Sequence, residues 1–424
     1  MKMQPHIAYK ENTMHIESVS ISAIAKEIPT PFYCYSYSAI KESYLEYQQA
    51  FSQQDTLICY AVKANSNQAI LTLLANLGAG ADVVSEGEIR RALKAGIPAN
   101  KIVFSGVAKT RNEIIFALHN NILQFNVESE PELQLISQLA TALNKVAAIS
   151  IRVNPNVCAN THAKITTGKS ENKFGIPIAK AKEVYRFAAS LTGINVQGVD
   201  VHIGSQLTDL LPFEQAFSKI AEFVTLLRND GHDISVIDVG GGLGINYEED
   251  ETPPNKANYA DLVHELLSHL NCKIIVEPGR SIVGNSGVLV SSVVYVKKGE
   301  ERQFLIIDAG MNDLIRPSMY DAYHQIKAIN NTTNDTSFYD VVGPVCETGD
   351  TFTKNRQLQT TQAGDLVGIL SCGAYGSVMS SNYNTRLAAP EIMVKESEFS
   401  VIRDQPSYEE LIEQDIIPDW LSKD

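Results

Sequence analysis

The chain has 424 residues, 44% of them apolar and 20% charged, with a formal net charge of −14. That length suits two domains, or one large barrel with a smaller unit, and the acidic balance works against binding nucleic acid or an anionic membrane surface. No apolar run approaches the roughly 18 residues of a membrane span, MKMQPHIAYKENT lacks the apolar core of a signal peptide, and the six cysteines show no CxxC spacing. Neither a zinc site nor a disulfide framework is therefore expected, and a cytoplasmic home is.

Residues 1–35 hold short alternating segments, His6–Tyr9 and Pro31–Tyr35 among them, with no helix signal. From Thr56 the pattern becomes apolar runs alternating with amphipathic helices. The expected strands are Thr56–Val62, Ala81–Val84, Lys101–Phe104, Ile122–Val127, Ala148–Val153, Asn195–His202, Ile234–Val239 and Lys273–Val276. Helical patterns between them include Ser85–Ala95, Glu128–Leu143, Ala179–Leu191 and Pro212–Asn229. Strands joined through helices make a parallel sheet, and eight of them close as a (β/α)8 TIM-like barrel, with a doubly wound open sheet as the competitor.

Beyond about Gly284 the runs shorten and turn β-rich: Gly287–Val296, Phe304–Ile307, Asp340–Val342, Asp365–Leu370 and Glu391–Val394. They predict an antiparallel β-sandwich or barrel domain that also takes in the N-terminal residues. The expected division is a barrel over 36–283 and a β domain made of 1–35 and 284–424.

In such a barrel the chemistry gathers at the C-terminal ends of the strands. Those ends carry Lys63, Ser85–Glu86, Ser105, Arg152 with Asn154, His202, Gly240–Gly242, and Glu277 with Arg280. Lys63 ends the run LICYAVKANSN; it is either a nucleophilic amine with a pKa lowered by desolvation or a lysine reaching out to solvent. The turn DVGGGLGIN (Asp238–Asn246) fails the dinucleotide fingerprint, since Tyr247 takes the third glycine position. It is either an anion-cradling turn or a tight turn with no ligand. Glu277 either pairs with Arg280 or meets a ligand, and His202 is either a core residue or part of a site. Gly168-Lys169-Ser170 lacks the leading glycine of a P-loop, and His264 with His269 misses metalloprotease spacing.

Taken in order, AVKAN, HIGSQ, GGGLG and EPGR resemble the pyridoxal-phosphate decarboxylases of the alanine racemase-like fold. DAGMNDLIRPSMYDAYH (Asp308–His324), GPVCETGD (Gly343–Asp350), and CGAYG with SNYNTR (Cys372–Arg386) narrow the likeness to the meso-diaminopimelate decarboxylases, from about Tyr33 to Val394. By that resemblance Lys63 carries pyridoxal 5'-phosphate covalently and His202 lies against its ring. Ser205, Gly240, Gly241, Gly242, the Pro278-Gly279-Arg280 stretch and Tyr375 hold the cofactor, chiefly its phosphate. Glu277 faces the pyridine nitrogen, where a carboxylate keeps the ring cationic and a strong electron sink. Related racemases have an arginine there, so Glu277 points to decarboxylation.

The resemblance further implies Cys346 as the proton donor to the α-carbon, supplied across a homodimer with shared active sites, and no metal. It implies Arg280, Arg316, Tyr320, Glu347 and Tyr375 as contacts to meso-diaminopimelate, and a loop over the site at His162–Ile176. Relatives acting on ornithine, arginine or carboxynorspermidine are the alternative; the ornithine type has an acid where Arg316 stands. An acidic pocket suits a distal amine, whereas Arg316 suits a distal carboxylate. A cofactor-binding regulator without catalysis is the alternative from another class, and intact Lys63 and Cys346 speak against it.

Overall fold

The computed structural model describes residues 6–157, 173–248 and 251–421. The chain divides into two compact units, Ile40–Gly284 and the pair of segments Met1–Ala39 and Asn285–Asp424.

In Ile40–Gly284, eight parallel strands close on themselves in chain order: Thr56–Ala61, Gly80–Val83, Ile102–Phe104, Gln124–Val127, Ala147–Asn154, Ile194–Asp200, Val236–Asp238 and Lys273–Val276. Closure is made by the last strand on the first, with Ile275 opposite Leu57, while Gln124–Val127 pairs with Ala147–Asn154. This is the expected barrel rather than an open sheet, and no observed strand end lies more than two residues from its expected place. The loops leaving the strands end in helix caps. The side chains of Asn67, Ser85, Thr110, Ser129 and Asn255 each accept a backbone N–H of the helix that follows.

Part of the barrel lining is an apolar cluster of Leu57, Cys59, Val103, Val236 and Ile275. Toward the C-terminal strand ends it gives way to the buried polar side chains Asp82, Asn126, Arg152, Asp200, Asp238 and Glu277. Buried charge survives only where it is paired or hydrogen-bonded. Such a layer therefore marks the end of the barrel that is built for something other than stability.

The second unit is a sheet ordered Thr351–Gln359, Thr336–Val342, Gln303–Ile307, Gly287–Lys298, Phe32–Ser36, Glu391–Lys395, Glu398–Arg403, with Leu366–Ile369 paired to Gly287–Lys298 and Ile326–Ala328 paired to Leu366–Ile369. It is mostly antiparallel, as expected, yet mixed: Gln303–Ile307 runs parallel to Thr336–Val342, and Phe32–Ser36 parallel to Glu391–Lys395. The N-terminal residues belong to its core, where Ile7, Met14, Ile16, Phe32 and Cys34 pack with Val288, Val290, Ile392 and Val394.

The reading of residues 1–35 as free of helix needs correction, because Ile21–Glu27 is an α-helix with Ile21 and Ile24 buried. Seven residues carry too few turns to print a periodic pattern. The strands Thr351–Gln359 and Glu398–Arg403 were also not foreseen; both lie at sheet edges, where polar residues blunt the alternation.

Candidate active site

Lys63 lies in a single 3-10 turn, Val62–Ala64, directly after the strand Thr56–Ala61. Its Nζ stands 2.6 Å from Asp82 Oδ2, on a side chain with no exposed surface, while Lys63 keeps 36% of its own side chain open. The amine is therefore turned toward the buried acidic layer, and the outward-reaching alternative does not hold.

Behind it, carboxylate oxygens of Asp200, Asp238 and Glu277 all lie within 4.8 Å of one another. Asn126 ties two of them together: its Nδ2 reaches Asp238 Oδ2 and Ser105 Oγ at 3.1 Å and Glu277 Oε1 at 3.4 Å. The Arg152 guanidinium is 2.6 Å from Glu128 Oε1 and 4.0 Å from Asp200 Oδ2. Close-set carboxylates in a dry interior cannot all ionise. Burial, then Asp238, Asp82 and Asp200, hold the Glu277 carboxyl well above the usual range, with Lys63 opposing. Burial pushes Asp238 up to about 7, against the Gly240 N–H and the Asn126 amide. Asp200 is likewise raised by burial and by Asp238.

His202 follows the strand Ile194–Asp200. Burial, then Arg152 and Lys63, lower its pKa well below the ordinary imidazole value. Its Nδ1 accepts the Gly241 N–H at 3.3 Å, so the ring is neutral at neutral pH, with Nδ1 as the acceptor.

The glycine turn and the EPGR segment lie side by side, since the Glu277 N–H donates to the Gly240 carbonyl at 2.7 Å. Gly240 has φ +67°, and a Cβ on Gly241 would sit 2.2 Å from the Glu277 carbonyl oxygen, so neither place admits an ordinary side chain. The ion pair between Glu277 and Arg280 considered from the sequence does not form. Arg280 Nη1 donates to Tyr247 Oη at 2.5 Å and Nη2 to Ser205 Oγ at 3.0 Å. Pro278 and Gly279 connect Glu277 to the helix Arg280–Val283, with Gly279 close against Ala61 and Ala64.

The other candidates lie on the β unit. Arg316 is buried at the start of the helix Arg316–Tyr320. Asp350 fixes that segment to the turn carrying Cys346, accepting the Met311 N–H at 2.7 Å and the Val345 N–H at 2.6 Å. Cys346 is exposed, and its N–H donates to Asn384 Oδ1 at 3.0 Å. Glu347 accepts from the Tyr383 hydroxyl, which raises the Tyr383 pKa. Tyr320 is half-buried, as is Tyr375, which takes φ +57°.

The candidates thus fall into two groups. Lys63, His202, Ser205, Gly240–Gly242 and Glu277–Arg280 share the barrel rim; Arg316, Tyr320, Cys346, Glu347 and Tyr375 belong to the β unit. Residues 162–172 of the expected loop lie outside the described residues. Of its end, Phe174 lies against the Arg152 guanidinium, and the Gly175 N–H donates to Glu128 Oε2 at 2.7 Å.

Asp82, Asn126, Asp200 and Asp238 were missed by the sequence reading. Their signal is an acid or amide set among apolar strand residues, as in GADV, QFNV and VID.

These groups fit pyridoxal phosphate: an amine at the rim, a neutral flat imidazole, a glycine-lined backbone turn, and a carboxyl whose hydrogen-bond partners Ser105 and Asn126 are neutral. A ring nitrogen would give this carboxyl a group to share its proton with.

The sequence profile of the family "Pyridoxal-dependent decarboxylase, pyridoxal binding domain" matches residues 37–284. A diaminopimelate decarboxylase of Zymomonas mobilis is 45% identical over 97% of this chain and 99% of its own. The crystal structure of the Helicobacter pylori diaminopimelate decarboxylase complexed with L-lysine superposes with a TM-score of 0.90 at 46% identity, covering 93% of this chain and 98% of that one. The enzyme of that name from M. jannaschii, also in complex with L-lysine, gives 0.95 at 37% identity over 100% of both chains.

Proposed function

The chain belongs to the diaminopimelate decarboxylases, and from that premise we propose that it removes CO2 from meso-2,6-diaminopimelate to give L-lysine, the last step of lysine biosynthesis. It is a carboxy-lyase dependent on pyridoxal 5'-phosphate. When bound, the cofactor supplies a conjugated ring that takes up the electron pair left as CO2 departs.

The observation that carries the reading is the Lys63 amine held at 2.6 Å by buried Asp82, on the same rim as Glu277, in a chain similar to these decarboxylases from end to end. Lys63 would hold the cofactor through its amine. The backbone of Gly240–Gly242 and Gly279–Arg280, with Ser205 and Tyr375, would take the phosphate, while Pro278 sets the bend between Glu277 and that backbone. His202, neutral, would offer the cofactor an uncharged flat face. Glu277, whose carboxyl is held well above its usual range, would pass its proton to the ring nitrogen and, as the carboxylate left behind, would keep that nitrogen cationic.

Cys346, an exposed free thiol, returns a proton to the α-carbon. We assign it to the site of the partner subunit in a homodimer. Arg316 pairs with the distal carboxylate of the substrate and Glu347 with its distal ammonium, Arg280, Tyr320 and Tyr375 completing the contacts. We place the protein in the cytoplasm, as a biosynthetic enzyme; among the described residues no helix is long and apolar enough to cross a membrane.

The test is release of CO2 and L-lysine from meso-diaminopimelate by the purified, cofactor-loaded protein, with ornithine and arginine as comparators. No release above background, or faster release from ornithine, would overturn the reading.

A further inference from the structure

The buried Arg316 guanidinium is held by a histidine. His324 is 2% exposed, and its Nε2 lies 2.7 Å from Arg316 Nη1. Its Nδ1 lies 2.8 Å from the Leu370 carbonyl oxygen. A carbonyl only accepts and a guanidinium only donates. One arrangement satisfies both: the hydrogen sits on Nδ1, donated to Leu370, and Nε2 accepts from Arg316. The ring is neutral in that arrangement, because an imidazolium has two donors and no acceptor.

The surroundings agree. Arg316 lies against one ring nitrogen, and Arg356 donates to the His324 carbonyl oxygen. The Cys372 thiol, 3.6 Å from Nδ1, is pushed up to about 12 by burial and adds no negative charge. Two nearby cations oppose a third.

The choice of residue matters chemically. A carboxylate in the place of His324 would orient the guanidinium but cancel the charge that a substrate carboxylate needs. A neutral imidazole fixes the same geometry and leaves the charge in place. We propose that His324 is a positioning residue for substrate recognition, presenting Arg316 to the distal carboxylate, and that protonating its ring releases Arg316. This rests on the reading of Arg316 as the carboxylate partner.

The consequence is a KM that rises as pH falls, while kcat at saturation follows other groups. The product is a probe of the same contact, since L-lysine keeps the amino-acid end of the substrate that does not react. The experiment uses the cofactor-loaded enzyme between about pH 5 and 8, measuring kcat and KM for meso-diaminopimelate and the calorimetric Kd of L-lysine.

In His324→Ala, KM and the Kd of L-lysine should both rise by about tenfold with kcat less affected. His324→Gln offers an amide oxygen to Arg316 and does not titrate, so it should lose the acid rise in KM and sit between wild type and the alanine variant. If His324→Ala does not fold, wild type against His324→Gln decides the matter alone. An acid rise in KM that persists unchanged in His324→Gln would overturn the proposal. So would KM and Kd within about threefold of wild type in His324→Ala while Arg316→Ala loses binding. If Arg316→Ala itself leaves KM and Kd unchanged, it is the reading of Arg316 that fails.

Discussion

Lys63 and Asp82 form an ion pair of 2.6 Å in which the acid is wholly buried and the amine is partly open. The acid anchors the amine at the rim and leaves it accessible to an aldehyde. Reduction of the holoenzyme with borohydride, followed by peptide mapping, should place the cofactor on Lys63, and Lys63→Ala should lose the covalent attachment. Asp82→Asn should slow cofactor uptake by about tenfold, the loss of a charge-assisted bond. Label on any other lysine would refute the assignment.

Shared sites make a prediction about mixtures. If Lys63 and Cys346 of one site come from different subunits, random mixing of Lys63→Ala with Cys346→Ala gives about half heterodimers, each with one intact site. Activity should recover to about a quarter of wild type. No recovery despite demonstrated subunit exchange would argue that each subunit carries a complete site.

Substrate choice should rest on Arg316. A guanidinium offers parallel donors matched to a carboxylate, and a lysine only a point charge. A site built around such a pair rejects an analogue lacking it by up to about 10⁴-fold. Arg316→Ala should lose most of kcat/KM for meso-diaminopimelate while the visible absorption of the bound cofactor is retained, and Arg316→Lys should restore only part. A loss within about threefold, under 1 kcal/mol, would leave the distal carboxylate without its partner.

The carboxylate cluster predicts a pH dependence in the cofactor-free protein. Asp238 is raised to about 7 in the folded chain, against about 3.9 for an unfolded aspartate. Between those values the folded state binds more protons than the unfolded, so stability falls as pH rises through the window. Asp200 and Glu277 act with the same sign. His202, lowered in the fold, acts oppositely below its ordinary value. Comparing urea midpoints of wild type and Asp238→Asn isolates one contribution: the gap should move in favour of the variant from about pH 4 to 7. Parallel curves would show that Asp238 is not held protonated.

The barrel was legible because its strands are continuous apolar runs and its helices amphipathic, two periods that do not mimic each other. The polar residue ending each run also marked the rim, from Lys63 to Glu277. What stayed hidden was set by direction rather than by pattern. A lone Asp82 or Asp238 in a strand faces either the barrel interior or the helices around it, and the sequence does not say which. Arg280 shows the same limit: its partners Tyr247 and Ser205 are 33 and 75 residues away, so nearby Glu277 was the only partner a local reading could offer. The helix Ile21–Glu27 and the edge strands escaped because they bury too few side chains to leave a rhythm.

Phe32–Ser36 is hydrogen-bonded on one side to Gly287–Lys298 and on the other to Glu391–Lys395. A strand made early in synthesis thus has both its neighbours at the far end of the message. On the ribosome the barrel segment can be complete while these first residues still wait, unpaired, for chain that has not been translated. Their apolar side chains, Phe32 and Cys34 among them, lack the core partners Val288, Val290, Ile392 and Val394 for most of that interval. The hazard window for aggregation is therefore written into the order of the strands, and it closes only when Glu391–Lys395 emerges.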